Sequence, residues 1–322
     1  MIHRRTMLAA LPAVALAGTT RAQEPWPQRP IRIIVGFAAG GATDITTRTL
    51  APKLQSLLGQ SIIVDNRPGA GGNLATELVV RAQPDGYTLL MGTIGALAIN
   101  PTLYGNLTFD PQADLTPIAM AGDILNILVV PTDRPWRTVA DLIAAARAQP
   151  DTLTYGSSGI GGAGHLAGAL LDQEARIRTI HVPYRGGGPL MTDLISGKID
   201  FAFSTAPTAL PQIEGGKLRA LAVPTARRSA ITGALPAVSE TLPGFEVANW
   251  YALLGPKALP PAITARLNAA MQETLRDPEM VAHLARHGTE PRPGPPEELA
   301  RFIRQETEKW APIVRATGAN PN

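Results

Sequence analysis

Three times within the first hundred residues an apolar run empties into a glycine-rich loop that opens a helical pattern, and few folds accommodate that rhythm. In the first copy Ile31, Ile33, Ile34 and Val35 read as a buried β-branched strand, and residues 36–41 as the loop. Ala42, Thr43 and Asp44 then open a helix, with Asp44 as its N-cap. Leu50, Leu54, Leu57 and Leu58 continue on one face, Pro52 is expected to kink or break the helix, and Gly59 stands where a C-terminal cap belongs. The second copy runs from a strand at 61–65 through a loop at 66–73 into a helix carrying Leu74, Leu78 and Val79. The third strand, residues 87–91, reaches the loop 92–95. This alternation belongs to a parallel α/β sheet whose ligand sits at the carboxyl ends of the strands. Such loops aim free backbone N–H groups and the positive ends of helix dipoles at that place, so a small anion such as a carboxylate fits it.

The pattern restarts after a proline-punctuated stretch at 100–117. Residues 124–130 form a strand, and Thr138 caps a helix carrying Leu142, Ile143 and Ala146. A strand at 153–155 empties into the loop 156–165, and one at 179–184 runs into Arg185, Gly186, Gly187 and Gly188. Another, at 199–203, ends in Ser204 and Thr205, and a short strand at 218–223 is expected to return the chain to its first half. Two α/β lobes follow from this reading, one built from residues 23–123 and 225–322, the other from 124–224, with a cleft between them. The last hundred residues, a strand at 250–254 and then helices, read as cover for the first lobe without chemistry of their own.

Residues 1–22 read as an export segment: Arg4 and Arg5, an apolar run at 7–17, and cleavage after Ala22 or Ala17. The Arg4-Arg5 pair hints at a twin-arginine signal. Without that segment the chain balances at 26 basic and 26 acidic residues, so the basic character of the whole says nothing about nucleic acid. No later stretch is long and apolar enough to span a bilayer. With no cysteine there is neither a disulfide nor a thiolate metal site. His283 and His287 lie four apart on a helix without a third ligand, so no metal and no cofactor are expected. His181 reads as a core histidine. The loop spacing at Gly36, Gly40 and Gly41 fails the dinucleotide pattern, and Gly156-Ser157-Ser158-Gly159 is one residue short of a nucleophile elbow. Tyr184 and Arg185 suit a carboxylate. What remains is a set of hydrogen-bond donors without a nucleophile, base or metal: a binding protein for a small anion.

Several segments carry a family likeness. Residues 30–32 with Gly40-Gly41-Ala42-Thr43-Asp44, and the runs at 64–72, 84–90, 182–186 and 218–223, resemble the substrate-binding proteins of tripartite tricarboxylate transporters, the Bug family of periplasmic receptors. The resemblance implies a two-lobed periplasmic-binding-protein fold of type II-like design that closes on a carboxylate held by main-chain amides of both lobes. It implies contacts from Phe37, Gly40, Gly41, Ala42, Thr43, Asn66, Gly71, Gly72 and Thr93 in the first lobe. From the second it implies Ser157, Ser158, Gly159, His165, Tyr184, Ser204 and Thr205. It also implies a monomer in the periplasm that hands its solute to large and small membrane subunits. Gly36 stands where the family usually has proline, and Ser204-Thr205 where an acidic residue is common, which makes an amino-acid ligand less favoured. Two alternatives stay open: a periplasmic hydrolase using Ser157 or Ser158 with His165, and a solute sensor feeding a signalling protein.

Overall fold

The computed structural model describes residues 26–317; the expected export segment and residues 318–322 lie outside the described residues. The chain runs β1 (Ile31–Val35), α1 (Ala42–Leu58), β2 (Ile62–Asn66), α2 (Asn73–Val80), β3 (Thr88–Thr93), α3 (Asn100–Tyr104), α4 (Pro111–Asp114), β4 (Leu115–Ile124) and β5 (Asn126–Pro131). It continues with α5 (Val139–Ala148), β6 (Thr154–Ser157), α6 (Ala163–Ala175), β7 (Ile180–Pro183), α7 (Gly187–Ile195), β8 (Phe201–Thr205), α8 (Ala206–Glu214) and β9 (Leu218–Ala222). It ends with β10 (Trp250–Pro256), α9 (Pro261–Arg276), α10 (Pro278–Arg286), β11 (Thr289–Pro291) and α11 (Pro296–Thr317).

The strands form two sheets, in the orders β11-β4-β10-β3-β1-β2 and β7-β6-β8-β5-β9. Both are mixed. β1 pairs in parallel with β2 and β3, and β6 with β7 and β8, whereas β10, β4, β11, β5 and β9 run antiparallel to their neighbours. The parallel parts are the strand–loop–helix repeats of the sequence; the antiparallel strands close each sheet. β1 lies inside the sheet, flanked by β3 and β2, which is why its apolar residues run without alternation: Ile31, Ile33, Ile34 and Val35 are all buried.

Local chemistry places the helices. Gly41 is the N-cap of α1, and Asp44 stands at the third helical position, where its carboxylate accepts from Gly40 N–H at 2.9 Å and pairs with Arg48. The N-cap therefore lies three residues before the expected Asp44, and the acid satisfies an N-terminal donor from inside the helix. α1 continues unbroken through Pro52, which faces solvent, so water reaches the carbonyl that loses its donor. Thr138 and Asp141 form a capping box at α5.

The chain leaves the first sheet between β4 and β5, at Leu125. The return differs from expectation. β9 stays in the second sheet, paired with β5, and the chain comes back only over residues 247–249, where Asn249 Nδ2 donates to Asn126 Oδ1 at 3.1 Å. The strand β4 also fills part of the stretch read as turns. α11 packs on β4 and α3 and reaches α6 of the second sheet, so it covers more than the first lobe. Its buried stripe is Leu299, Ile303, Glu306, Trp310 and Val314. Glu306 Oε2 accepts from the indole N–H of Trp250 at 3.0 Å and of Trp310 at 3.1 Å, both rings being fully buried. A Glu306→Ala change orphans two buried donors, each costing about 1–3 kcal/mol. Urea unfolding is expected to lose about 3 kcal/mol with an unchanged slope; a loss under about 1 kcal/mol would mean that water replaces the carboxylate.

Candidate ligand-binding cleft

The carboxyl ends of both sets of parallel strands face one another. Between them lies an inner cavity of about 40 Å³, lined by Phe37, Gly41, Ala42, Thr43 and Thr93 from one side and by Ser158, residues 162–164, Gly187 and Thr205 from the other. The first turns of α1, α6 and α7 and the cap of α8 all reach it. Ile94, Gly95, Phe203, Asn249 and Tyr251 complete the wall. No acidic, basic or imidazole side chain is among them. The one ionisable group, the Tyr251 hydroxyl, is pushed up to about 12 by burial and stays a neutral donor beside Thr43 and Asn249. Helix N-termini and hydroxyls without a counter-charge favour an anion.

Phe37 and Ser158 also line a second, outer space of about 280 Å³, whose walls include Gly71, Tyr104, Gly159, Tyr184 and Arg185. The two sides of the cleft touch here. Ala38 N–H donates to the Arg185 carbonyl at 3.0 Å. A Cβ added at Gly71 would run into the Ile160 carbonyl oxygen, and one added at Gly161 into Asn100 Oδ1. Only glycine permits such an approach.

Of the residues expected to contact ligand, Phe37, Gly41, Ala42, Thr43, Thr93, Ser158 and Thr205 line the inner cavity, and Gly71, Gly159 and Tyr184 the outer one. The others stand behind them. Asn66 Nδ2 donates to the Phe37 carbonyl at 3.0 Å and its Oδ1 accepts from Arg48, which fixes the first loop. Gly40 carries the N–H held by Asp44. Gly72 lies against the Phe37 ring, and Ser204 bonds Thr208 at 3.2 Å. Ser157 and His165 brace the loop after β6. Ser157 Oγ is hydrogen-bonded to His181 Nε2 at 2.7 Å, lies 3.1 Å from the Gly159 carbonyl and accepts from Gly159 N–H at 3.3 Å. His165 Nδ1 accepts from Gly161 N–H at 3.1 Å. The imidazoles of His165 and His181 stack at 4.1 Å, and Tyr155 stacks on His181 at 4.8 Å. Burial lowers both histidines, to about 4 and about 3, with mutual repulsion adding to the shift at His181. Both rings are neutral at pH 7.

This arrangement meets a known family. The model for the tripartite tricarboxylate transporter family receptor matches residues 46–319. The chain belongs to that family. Its fold agrees with R. palustris Rpa4515 solved with adipate, at a TM-score of 0.90 and 34% identity over 92% of this chain and 99% of that one. The periplasmic binding protein BugD superposes at 0.88 with 32% identity, over 92% and 99% of the two chains. MatC from Rhodopseudomonas palustris, solved with malate, gives 0.86 and 30%, over 90% and 100%. The chain therefore has the two-lobed α/β fold of these periplasmic solute receptors. Among the described residues no group of three or more potential ligands is placed to hold a metal ion.

Within this receptor, sequence reasoning missed Asn249, Tyr251 and Tyr104. Residues 250–254 carry only the signature of a buried strand. Because β10 runs antiparallel to β3, with Tyr251 opposite Thr93, its beginning lies where β3 ends, at the cleft. Nothing local announces that. Gly95, residues 162–164 and Gly187 sit in loops already marked by their glycines.

Proposed function

We propose that this family member is a receptor that closes on a small carboxylate lacking an amine, presented in the periplasm to the large and small membrane subunits of its transporter. The lobes that close are built on the six-stranded sheet and on the five-stranded sheet, the second keeping residues 126–246. The reading is carried by the inner cavity: N-terminal helix turns and hydroxyls from both sides of the cleft converge on a space free of charged side chains. Room for about three water molecules matches a carboxylate group with little else. An ammonium would find no carboxylate partner there. The adipate and malate held by the two relatives are amine-free acids, in keeping with this.

Melting temperature against a panel of acids tests the proposal. A ligand at ~100 times its dissociation constant adds ~2.7 kcal/mol, a shift of several degrees. Succinate, malate, adipate or a related acid is expected to give that shift, and aspartate and glutamate much smaller ones. A flat response from well-folded protein, freed of any ligand retained from the host, would overturn the receptor reading. A hydrolase reading draws less support: Ser157 is buried within its own loop, and among the described residues no acid orients His181. Turnover of a model ester lost in Ser157→Ala would revive it.

A further inference from the structure

The two sheets are joined by crossings at 124–126 and 247–249, and Asn249 ties one crossing to the other twice. Its carbonyl accepts the Ile124 N–H at 2.8 Å, and its Nδ2 donates to Asn126 Oδ1 at 3.1 Å. Leu125, between those two partners, donates its N–H to the Gly288 carbonyl at 2.8 Å and accepts from the N–H of Ala206, the first residue of α8, at 2.7 Å. Three of these four bonds are main chain to main chain; the Asn249–Asn126 bond alone is made by side chains. Asn126 opens β5 and is 2% exposed. Its Nδ2 is buried and has no partner among the described residues. An orphaned buried donor costs about 1–3 kcal/mol, which an apolar side chain at the head of this strand would avoid. The amide is therefore not explained by stability.

Asn249 is the one residue common to the wall of the inner cavity and to that of a hollow of about 370 Å³ lined by both crossings. Its side chain lies beside the Tyr251 hydroxyl, which also lies beside Thr43 in the first turn of α1. Thr43, Tyr251, Asn249 and Asn126 thus form a line of polar side chains. It runs from a helix turn at the cavity to the first strand of the second sheet. We propose that Asn249 is a positioning residue that carries occupancy of the inner cavity to the hinge. A carboxylate held in the cavity orders Tyr251 and Asn249, and the ordered amide, bonded to Asn126, holds the crossings at their closed setting. The proposal rests on the carboxylate-receptor reading above. With the cavity empty, the cost of the Asn126 orphan is uncompensated, and rotation of the crossings, which brings water to that amide, is favoured. Both ends of the line then bias one two-state element, the hinge.

The test uses whichever of succinate, malate and adipate raises the melting temperature most. Calorimetry, stopped-flow dissociation and solution scattering of the saturated protein are applied to Asn126→Ala, Tyr251→Phe, the double variant and Asn249→Ala. Asn126 does not line the inner cavity, so a merely structural role there leaves the closed fraction of the loaded protein unchanged. Asn126→Ala is expected instead to release the acid about tenfold faster at an unchanged association rate, with part of the saturated protein open. Asn126→Val, which removes the same amide and suits a strand, should behave alike. Tyr251→Phe should weaken binding by a similar factor, and the double variant should lose about tenfold, not the hundredfold of independent sites. In the Asn249→Ala background, Asn126→Ala should add nothing. Losses that multiply, or a loaded Asn126→Ala protein as closed and as tight as the parent, overturn the proposal. If folded wild-type protein binds none of the three acids, the carboxylate reading itself is overturned and the role of Asn249 falls with it.

Discussion

A Gly71→Ala protein is expected to fold, yet to bind its solute at least a hundredfold more weakly than the parent. Gly71 has φ of +62°, and its missing Cβ leaves room for the carbonyl oxygen of Ile160, which belongs to the loop on the far side of the cleft. A methyl group at that place collides with main chain and not with a flexible side chain, so relief requires the two sides to stay apart. Binding by donors from both sides then cannot be completed. A hundredfold loss corresponds to ~2.7 kcal/mol of binding free energy. Left-handed backbone alone costs an alanine about 1–2 kcal/mol, and that part acts on stability within one lobe. Gly40→Ala separates the two effects: its φ is +76°, and nothing lies within 4 Å of the added Cβ. Calorimetry and solution scattering on both variants should show weak binding and an open form for Gly71→Ala, with near-parental affinity for Gly40→Ala. Equal affinities would mean that the cleft does not close through this contact.

The stacked histidines predict a second large effect, on acid stability. In the folded protein His165 and His181 lie at about 4 and about 3, against an ordinary value near 6.5. Their folded values are depressed, so below pH ~6.5 the unfolded chain takes up protons that the folded one refuses. The stability they contribute is complete above pH ~6.5 and drains away as pH falls toward 4 and then 3. Each histidine contributes a slope of up to ~1.4 kcal/mol per pH unit inside that window. Denaturant unfolding is expected to lose about 4 kcal/mol between pH 6.5 and 4.5. In the double variant His165→Asn, His181→Gln the asparagine oxygen replaces Nδ1 for Gly161 N–H, and the glutamine nitrogen replaces Nε2 for Ser157. That variant should show a clearly flatter profile, and an unchanged profile would assign the acid sensitivity to other groups.

The parts of this architecture that were legible in the sequence are those written locally. Ile31 to Asp44 announces strand, loop and helix start because a parallel strand inside the sheet is apolar on both faces and its loop needs glycine. The same signature located the loops at 156–165 and 185–188, and most of the cleft lining comes from such loops. What stayed hidden depends on pairing across the chain. Tyr251 reaches the cleft through its register with Thr93, and Glu306 looks like any acid on a helix until two indoles converge on it. His165 resembled a ligand contact in the sequence, and only the folded loop shows it turned toward Gly161. Asp44 was misread for a simpler reason, an acid inside the first turn serving an N-terminal donor, and a solvent-facing Pro52 leaves the helix unbroken.

The place of β10 in the first sheet has a consequence for the order of assembly. It lies between β3 and β4, bonded to both, yet it is made long after either. Until residues 250–256 emerge, two apolar strand edges wait for a partner that does not yet exist, while the whole second sheet is encoded in one uninterrupted stretch between them. Such distant pairing is slow to form, and unfilled strand edges invite pairing with other chains. Every strand of the second sheet is thus present in the chain before the last quarter of it, which alone decides whether the first sheet becomes a lobe.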